Sequence, residues 1–363
     1  MENLVNFWKN KTVLITGHTG FKGSWLSLWL HLLNANVIGF SLAPPSSPNL
    51  FTEADIPSLL THLHGDIRDY PTLLKTITAH QPEIIFHLAA QSLVPYSYAH
   101  PIETISTNVL GTAHLLEAAR HCSAIRAIII VTSDKCYENT MDTYFNEQNA
   151  LGGNDPYSSS KACAEIITHA YRSSFFSKQQ IGIASARAGN VIGGGDWATD
   201  RLLPDIVRAL TTKNTLEVRH PNAIRPWQHV LEPLWGYLLL AEKLYTNPHQ
   251  FSEAWNFGPL DPKPTPVSAI IDAISHHWNQ TILCKMINKK NHPESASLKL
   301  NCTKAQKQLN WHPRWNVLMA VSEAINWYQA YYAGKKAKHL VFQQIEAYMA
   351  NMTRNRVHDN VNR

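Results

Sequence analysis

Tyr157 and Lys161 close the run Tyr157-Ser158-Ser159-Ser160-Lys161 at a spacing that, on a helix, sends both side chains out from one face. A phenol with an ordinary pKa near 10 becomes a usable base at neutral pH only when a neighbouring cation stabilises the phenolate, and Lys161 supplies that charge. Ser133, at the end of the apolar run that starts at Ala127, brings a hydroxyl towards the same place. Together the three groups move a proton and, over a bound nicotinamide, a hydride. The same spacing recurs at Tyr331 with Lys335 and at Tyr332 with Lys336, which read as the solvated end of a surface helix. What separates Tyr157 is its place after the strand that ends at Ser133. Asp134 and Lys135 follow Ser133 directly and add an acid and a second amine.

The run Gly17-His18-Thr19-Gly20-Phe21-Lys22-Gly23 has a physical logic at each glycine. Gly17 permits a tight turn off a strand, Gly20 lets the backbone approach a pyrophosphate, and Gly23 lets the following helix pack on the sheet with its free N–H groups aimed at the phosphates. The ribose position departs from the usual pattern, because Phe40 is followed by Ser41 and Leu42 where an acidic residue ordinarily holds the hydroxyls. No Lys or Arg lies between Gly23 and Ile67 to hold a 2′-phosphate, which favours NAD over NADP. Asp66, in Gly65-Asp66-Ile67-Arg68-Asp69, is either an acceptor for an adenine amino group or a helix N-cap.

These residues need a frame that converges them, and the hydrophobic pattern supplies one. Val13–Thr16, Val37–Phe40, Ile84–Ala90, Ala127–Ser133 and Ile181–Ala186 are short apolar runs of the kind that form buried parallel strands. Helical stretches at Ser24–Leu33, Glu103–His121 and Tyr157–Ser177 alternate with them, which predicts an α/β fold with a doubly wound parallel (Rossmann) sheet. After residue 187 the texture changes to Gly193-Gly194-Gly195 and to prolines that include Pro259, Pro262, Pro264 and Pro266. The expected organisation is a dinucleotide-binding domain over 1–187 with a return near 228–258, a smaller, partly interleaved substrate lobe over 188–335, and a polar tail over 336–363.

Composition narrows the classes of function. At 363 residues two lobes are expected, and 44% apolar with 16% charged residues is ordinary for a globular protein. The net charge of +5 is spread along the chain, with no basic run that reads as a nucleic-acid arm. Cys122, Cys136, Cys163, Cys284 and Cys302 are odd in number and never spaced C-x-x-C, which argues for reduced thiols rather than a disulfide framework or a zinc knuckle. His18, His87 and His229 lack a metal-ligand spacing, so no metal is expected. The apolar stretches are too short to span a bilayer and no secretory pattern opens the chain, so a cytoplasmic location away from membranes is expected.

Gly17-x-x-Gly20-x-x-Gly23, Gly65-Asp66-Ile67-Arg68-Asp69, His87-Leu88-Ala89-Ala90-Gln91, Asn108, Thr132-Ser133-Asp134, Tyr157-x-x-x-Lys161 and Asn190 together resemble the extended short-chain dehydrogenase/reductases, and within them the nucleotide-sugar 4,6-dehydratases. The resemblance covers about Phe7 to Tyr328. Gly17 to Trp25, Ser133-Asp134-Lys135 before Cys136-Tyr137-Glu138-Asn139, and Arg225-Pro226-Trp227-Gln228-His229-Val230 are similar to the branch that acts on CDP-glucose. It implies an NAD cofactor held by Gly17, Thr19, Gly20, Phe21, Lys22, Gly23, Asp66, Ile67, Leu88, Ala89, Ala90, Gln91, Asn108, Tyr157 and Lys161. For the nucleotide sugar it implies Asn190, Arg201, Arg219, Arg225 and Trp227, with a surface ion pair as the alternative for Arg219 and a structural salt bridge as the expectation for Arg187. Gly193-Gly194-Gly195-Asp196-Trp197 is either a loop near the nucleotide or a flexible linker.

The implied reaction asks more of the site than hydride transfer does. Tyr157 takes the C4 hydroxyl proton with Ser133 as partner, the C4 ketone acidifies C5–H, and water leaves from C6 before the hydride returns there. Elimination therefore needs an acid and a base beyond Tyr157 and Lys161. Asp134 suits the acid. Lys135 stands where most dehydratases of this group carry Glu, and either takes the C5 proton or orients Asp134. The rival readings are a dehydratase or 4-epimerase for another nucleotide sugar and a non-catalytic dinucleotide sensor. The resemblance also implies a homodimer or homotetramer paired through the 103–121 and 157–177 helices, whose apolar faces equally suit the core.

Overall fold

The computed structural model describes residues 2–138, 143–259, 265–287 and 297–361. Asn139, Pro262 and Pro264 lie outside the described residues. Seven strands, β1 (Thr12–Thr16), β2 (Asn36–Ser41), β3 (Thr61–His64), β4 (Ile84–His87), β5 (Ala127–Val131), β6 (Gly182–Ala188) and β7 (Ala254–Phe257), form one parallel sheet in the order β3-β2-β1-β4-β5-β6-β7. Thr16, the last residue of β1, stands beside Phe40 of β2 on one side and His87 of β4 on the other. The winding reverses between β1 and β4, and a crevice opens beyond their C-terminal ends, the place where doubly wound sheets bind ligands.

The strands read as unbroken apolar runs because both faces of the sheet are covered. Leu14, Ile85, Ile128 and Ile130 point to one face and pack with α2 (Tyr70–His80) and α3 (Gly111–Ala119) through Leu73, Ile77, Leu115 and Leu116. Their neighbours Val13, Ile15, Ile84, Phe86 and Ile129 point to the other, where α1 (Phe21–Leu32) buries Trp25 and Trp29. The chain between Pro101 and Ala119 is one helical run whose turn at Ser106–Leu110 widens to a π-helix. That wide turn carries Asn108. α4 (Pro156–Tyr171) starts on a tight cap: Asp155 accepts from the Ser158 N–H at 2.9 Å and from its hydroxyl at 2.6 Å, with Pro156 in the first turn.

β7 joins the sheet beside β6, and α5 (Leu231–Thr246) is packed beneath, so the sheet takes its last strand from a segment more than sixty residues further along the chain than β6. Outside this sheet lie short parallel pairs: Val191–Ile192 with Gln228–His229, Leu216–Val218 with Cys284–Met286, and Tyr144–Phe145 with Lys299–Leu300. The helices α6 (Val317–Tyr332) and α7 (Ala337–Val361) complete the described chain. The polarity of the segment after Lys335 suggests an appended end, yet α7 begins inside the core, with Leu340, Val341, Ile345 and Tyr348 buried. Trp29 of α1 lies between Trp235 and Tyr348, 6.3 and 5.8 Å from their ring centroids. Glu232, buried at the start of α5, accepts from Tyr348 Oη at 2.7 Å and from the Arg314 and Trp315 N–H groups at 3.0 and 2.8 Å. The five cysteines are unpaired.

Candidate active site

The glycine loop turns off β1 into α1 with its backbone bare. Gly17 adopts φ +77°, and a Cβ there would meet Ala89 N at 2.6 Å, so the loop and the end of β4 touch only because neither adds atoms. A Cβ on Gly23 would fall 2.2 Å from Gly17 O, which ties the start of α1 onto the turn. At Gly20 a Cβ meets nothing nearer than 3.4 Å, and no side chain caps α1, so its first N–H groups are left without a side-chain acceptor, as an anion site requires. The Thr19 hydroxyl bonds to Ser41 Oγ at 2.8 Å and donates to Leu42 O at 3.0 Å, fixing the loop to the end of β2. This donor set and bare cradle fit a dinucleotide pyrophosphate. Ser41, not a carboxylate, stands at the end of β2.

Several residues expected at the cofactor prove to have partners of their own. Asp66 pairs with Arg68 through both oxygens, Oδ1 accepting from Nε at 3.0 Å and Oδ2 from a terminal nitrogen at 2.6 Å, and the helix cap is Asp69, which accepts from the Thr72 N–H. The N-cap alternative for Asp66 is thereby corrected: Asp69 sits at the position from which a carboxylate reaches the first turn of α2. Both Asn108 amide donors are used, on Gln91 O and Ser160 Oγ, each at 2.9 Å, so Asn108 braces the strand end against α4. The Gln91 amide donates to Leu93 O and Thr104 Oγ1. Ile67 is buried under Gly111. Leu88 and Ala89 N–H groups reach Thr16, and with Ala90 they line the end of β4 next to the glycine loop.

α4 and the turn after β5 bring the catalytic candidates together. Ser133 caps a 3₁₀ turn over Asp134–Cys136, its hydroxyl donating to Asp134 Oδ1 at 3.0 Å and accepting from the Lys135 N–H at 3.2 Å. Tyr157 is buried within hydrogen-bond reach of Ser133, and burial pushes its phenol up to about 12. Lys161 donates to Val131 O at 3.2 Å, and burial lowers it to about 8 while the Glu165 carboxylate opposes the shift. Burial raises the Asp134 carboxyl against the pull of Lys135, Ser133, Arg225 and Lys22, and Asp134 Oδ2 is buried with no hydrogen-bond partner. Lys22, half-buried in the first turn of α1, is lowered to about 7 by burial and by the charges of Arg201 and Lys161. Three lysine side chains, Lys22, Lys135 and Lys161, thus gather around one carboxyl. The cation that most depresses Tyr157 is Arg201, which bonds to Asp196 Oδ2 at 3.0 Å and to Ser92 Oγ at 2.8 Å.

Pro226 and its neighbours approach the catalytic turn across Gly189. Ile224, Arg225, Pro226 and Trp227 line an open pocket with Tyr144, Leu298, Lys299 and Leu300. Gly189 connects this cavity to the catalytic turn, because a Cβ there would lie 2.2 Å from the Pro226 ring and 3.1 Å from Asp134 Oδ2. Asn190 follows, its carbonyl accepting from the Gln228 N–H at 3.0 Å. Arg219 pairs with Asp200 at 3.4 Å, as its ion-pair alternative anticipates. The 193–197 segment is no linker: a Cβ on Gly194 would lie 2.1 Å from the Trp327 ring, and Gly194 O accepts from Trp25 Nε1 at 2.9 Å. Arg187 makes a buried pair with Glu165, a residue that motif reasoning passes over although it lies one turn beyond Lys161 on the same helix face. His18 bonds to His62 at 2.7 Å and His87 to Thr16 at 2.7 Å, and burial lowers both to about 3, leaving them neutral. Among the described residues no group of three His, Cys, Asp or Glu side chains could hold a metal ion, and no helix is long and apolar enough to cross a membrane.

A glycine-bridged crevice, a Ser–Tyr–Lys set and a buried acid beside it define a class, the nucleotide-sugar 4,6-dehydratases, which are hydro-lyases. The chain belongs to the GDP-mannose 4,6 dehydratase family, whose sequence pattern matches residues 14–324. More particularly, it is 47% identical to the CDP-glucose 4,6-dehydratase of Salmonella typhimurium over 96% of this chain and 99% of that one. Identity to the dTDP-glucose 4,6-dehydratase of Streptomyces antibioticus is 26%, over 87% of this chain and 95% of that one. Among solved structures, dTDP-glucose 4,6-dehydratase from Bacillus anthracis in complex with NAD superposes with a TM-score of 0.75 at 22% identity, covering 90% of this chain and 99% of that one. The same fold is found in UDP-glucose 4-epimerase from Thermotoga maritima, at a TM-score of 0.76 and 18% identity over 88% and 99% of the two chains.

Proposed function

We propose that this chain converts CDP-glucose to CDP-4-dehydro-6-deoxyglucose by intramolecular redox dehydration with NAD held at the glycine loop. The observation that carries the reading is the partnerless Asp134 Oδ2, buried beside Ser133 and next to the cavity behind Gly189. An epimerase has no use for such an acid. The CDP-glucose assignment is supported by the 47% identity to the Salmonella enzyme and by Lys135 in place of a carboxylate.

Gly17, Gly20 and Gly23, with the first turn of α1, would hold the pyrophosphate, and Thr19 fixes their loop. Bound there, NAD supplies a hydride acceptor for C4 and a hydride donor for C6, so no net reduction appears. Tyr157 takes the proton of the C4 hydroxyl, with Ser133 sharing the hydrogen bond and the Arg201 charge favouring the phenolate, while Lys161 lies one helical turn further along the same face. The C4 ketone acidifies C5–H, and we assign Lys135, beside Asp134, as the amine that takes this proton. Asp134 gives its own proton to the departing C6 hydroxyl, burial keeping that proton in place until then, and Lys135 hands its proton back to C5 as C6 is reduced. Arg225 suits a diphosphate because its fork makes paired charge-assisted bonds, and Trp227 and Asn190 flank it.

The apolar side chains Ile102, Ile105, Leu110 and Ile166, exposed along the Pro101–Leu110 run and α4, support a homodimer or homotetramer. Unpaired thiols support a cytoplasmic setting, and the product suits deoxysugar supply for surface polysaccharide such as O-antigen. Incubation with NAD and CDP-, dTDP-, UDP- and GDP-hexoses, followed by mass spectrometry, tests the reading. Loss of one water from CDP-glucose is expected; isomerisation without loss of water overturns it.

A further inference from the structure

α4 presents positions 157, 161 and 165 on one face, and its third residue is an acid with no water to face. Glu165 is 4% exposed, and its carboxylate is filled by four donors. Thr132 Oγ1 at 2.5 Å and Arg187 Nε at 2.9 Å reach Oε1, while Ser185 Oγ at 2.5 Å and an Arg187 terminal nitrogen at 2.8 Å reach Oε2. Thr132 immediately precedes Ser133, and Ser185 and Arg187 belong to β6. The remaining Arg187 nitrogen continues to Tyr137 Oη at 2.9 Å, and Tyr137 ends the turn that carries Asp134 and Lys135. Tyr137 Oη in turn donates to Asn256 Oδ1 on β7 at 2.7 Å. One ion pair therefore touches the helix of Tyr157 and Lys161, the strand end of Ser133, and the Asp134–Lys135 turn.

Stability alone does not call for charge here. A buried ion pair costs desolvation that its attraction scarcely returns, and well-packed apolar residues of the same volume hold such elements together at least as well. The use of the charge lies one helical turn away. Lys161 faces Tyr157 and Glu165 on its own helix, Cys136 from the catalytic turn, Lys22 from α1 and His87 from the end of β4, with Arg187 behind Glu165. The Cys136 thiol is raised by burial and His87 is neutral, so neither offsets the ammonium, and Lys22 repels it. Of these neighbours Glu165 is the ionised one of opposite sign.

We propose that Glu165, held by Arg187, is a positioning residue for the catalytic centre: it locks α4 to the strand end that carries Ser133 and supplies the counter-charge that keeps Lys161 an ammonium ion. The purpose of that charge rests on the dehydratase reading; the charge itself does not. The test is therefore made without substrate or cofactor, on the full chain, by competitive acetic anhydride labelling of Lys161 across pH with peptide mass spectrometry. Glu165→Gln and the charge-balanced pair Glu165→Gln with Arg187→Gln should each lower the labelling midpoint by about one pH unit or more. Glu165→Asp, which keeps the charge, should stay nearer the parent. The double variant avoids stranding Arg187, so a folding defect in Glu165→Gln alone leaves the proposal testable. A parent midpoint in the folded double variant, or a Glu165→Asp midpoint as low as that of the double variant, overturns it. Loss of activity with an unshifted midpoint would refute this role while leaving the dehydratase reading standing.

Discussion

Asp134→Asn separates the two halves of the proposed chemistry. The substitution is isosteric and keeps an oxygen for the Ser133 hydroxyl, and the nitrogen replaces an atom that already lacks a partner, so the fold should change by no more than about 1 kcal/mol. What disappears is the proton for the C6 hydroxyl. Loss of a positioned general acid costs 10²- to 10⁴-fold, or about 3–5 kcal/mol of barrier. Steps before water loss do not use that proton, so exchange of the C5 hydrogen with D2O in recovered nucleotide sugar should persist while dehydration collapses. Burial raises the carboxyl of the folded chain, so parent dehydration declines as pH rises through that raised value, and the variant lacks this limb. Stability carries the same sign: the parent's advantage over the variant is full below the ordinary aspartate range and is lost as pH rises through the folded value. Mass spectrometry in D2O reads both events at once. Dehydration at the parent rate refutes the acid assignment, and equal loss of exchange and dehydration in a natively melting variant moves Asp134 to an earlier step.

Tyr157→Phe should abolish C5 exchange and dehydration together, by 10²-fold or more, while isothermal titration still detects NAD; activity near the parent value removes Tyr157 from the mechanism. Lys135→Met should stop C5 exchange but preserve the fold by circular dichroism, and exchange at the parent rate shows that another group is the base. Glu232 is raised by burial to about 7 from the ordinary glutamate value, so its effect on stability is full below that value and lost as pH rises to 7. Relative to Glu232→Gln, the parent should therefore lose about 3 kcal/mol of unfolding free energy between pH 4.5 and 7.5, read by urea denaturation; a flat difference contradicts it.

The sheet was legible because β1, β4 and β5 are short runs dominated by Val, Ile, Leu and Phe, and burial on both faces explains such runs. The glycine loop and the Tyr157–Lys161 spacing were legible for a similar reason: each obeys a local rule. What stayed hidden depends on distant partners. The Asp66–Arg68 pair competes with any helix cap, and sequence offers no way to weigh one against the other. Lys22 reads as part of a loop until the fold sets it beside Asp134, Lys161 and Arg201. Glu165 carried a signal in its helical spacing from Lys161, but only β6 reveals that Arg187 answers it. The α7 stripe of Leu340, Val341, Ile345 and Tyr348 also follows helical spacing, and the overall polarity of that segment masked it.

The clasp between α1 and α7 sets an order of events for the nascent chain. α1 follows the glycine loop directly, yet Trp29 is covered by Tyr348, a residue synthesised only after every strand of the sheet. On a ribosome the early strands can form while Trp29 still faces solvent or a chaperone. The cofactor cradle would then remain provisional until translation is nearly finished, and a message truncated just before α7 would release a protein with an exposed indole behind its phosphate-binding turn.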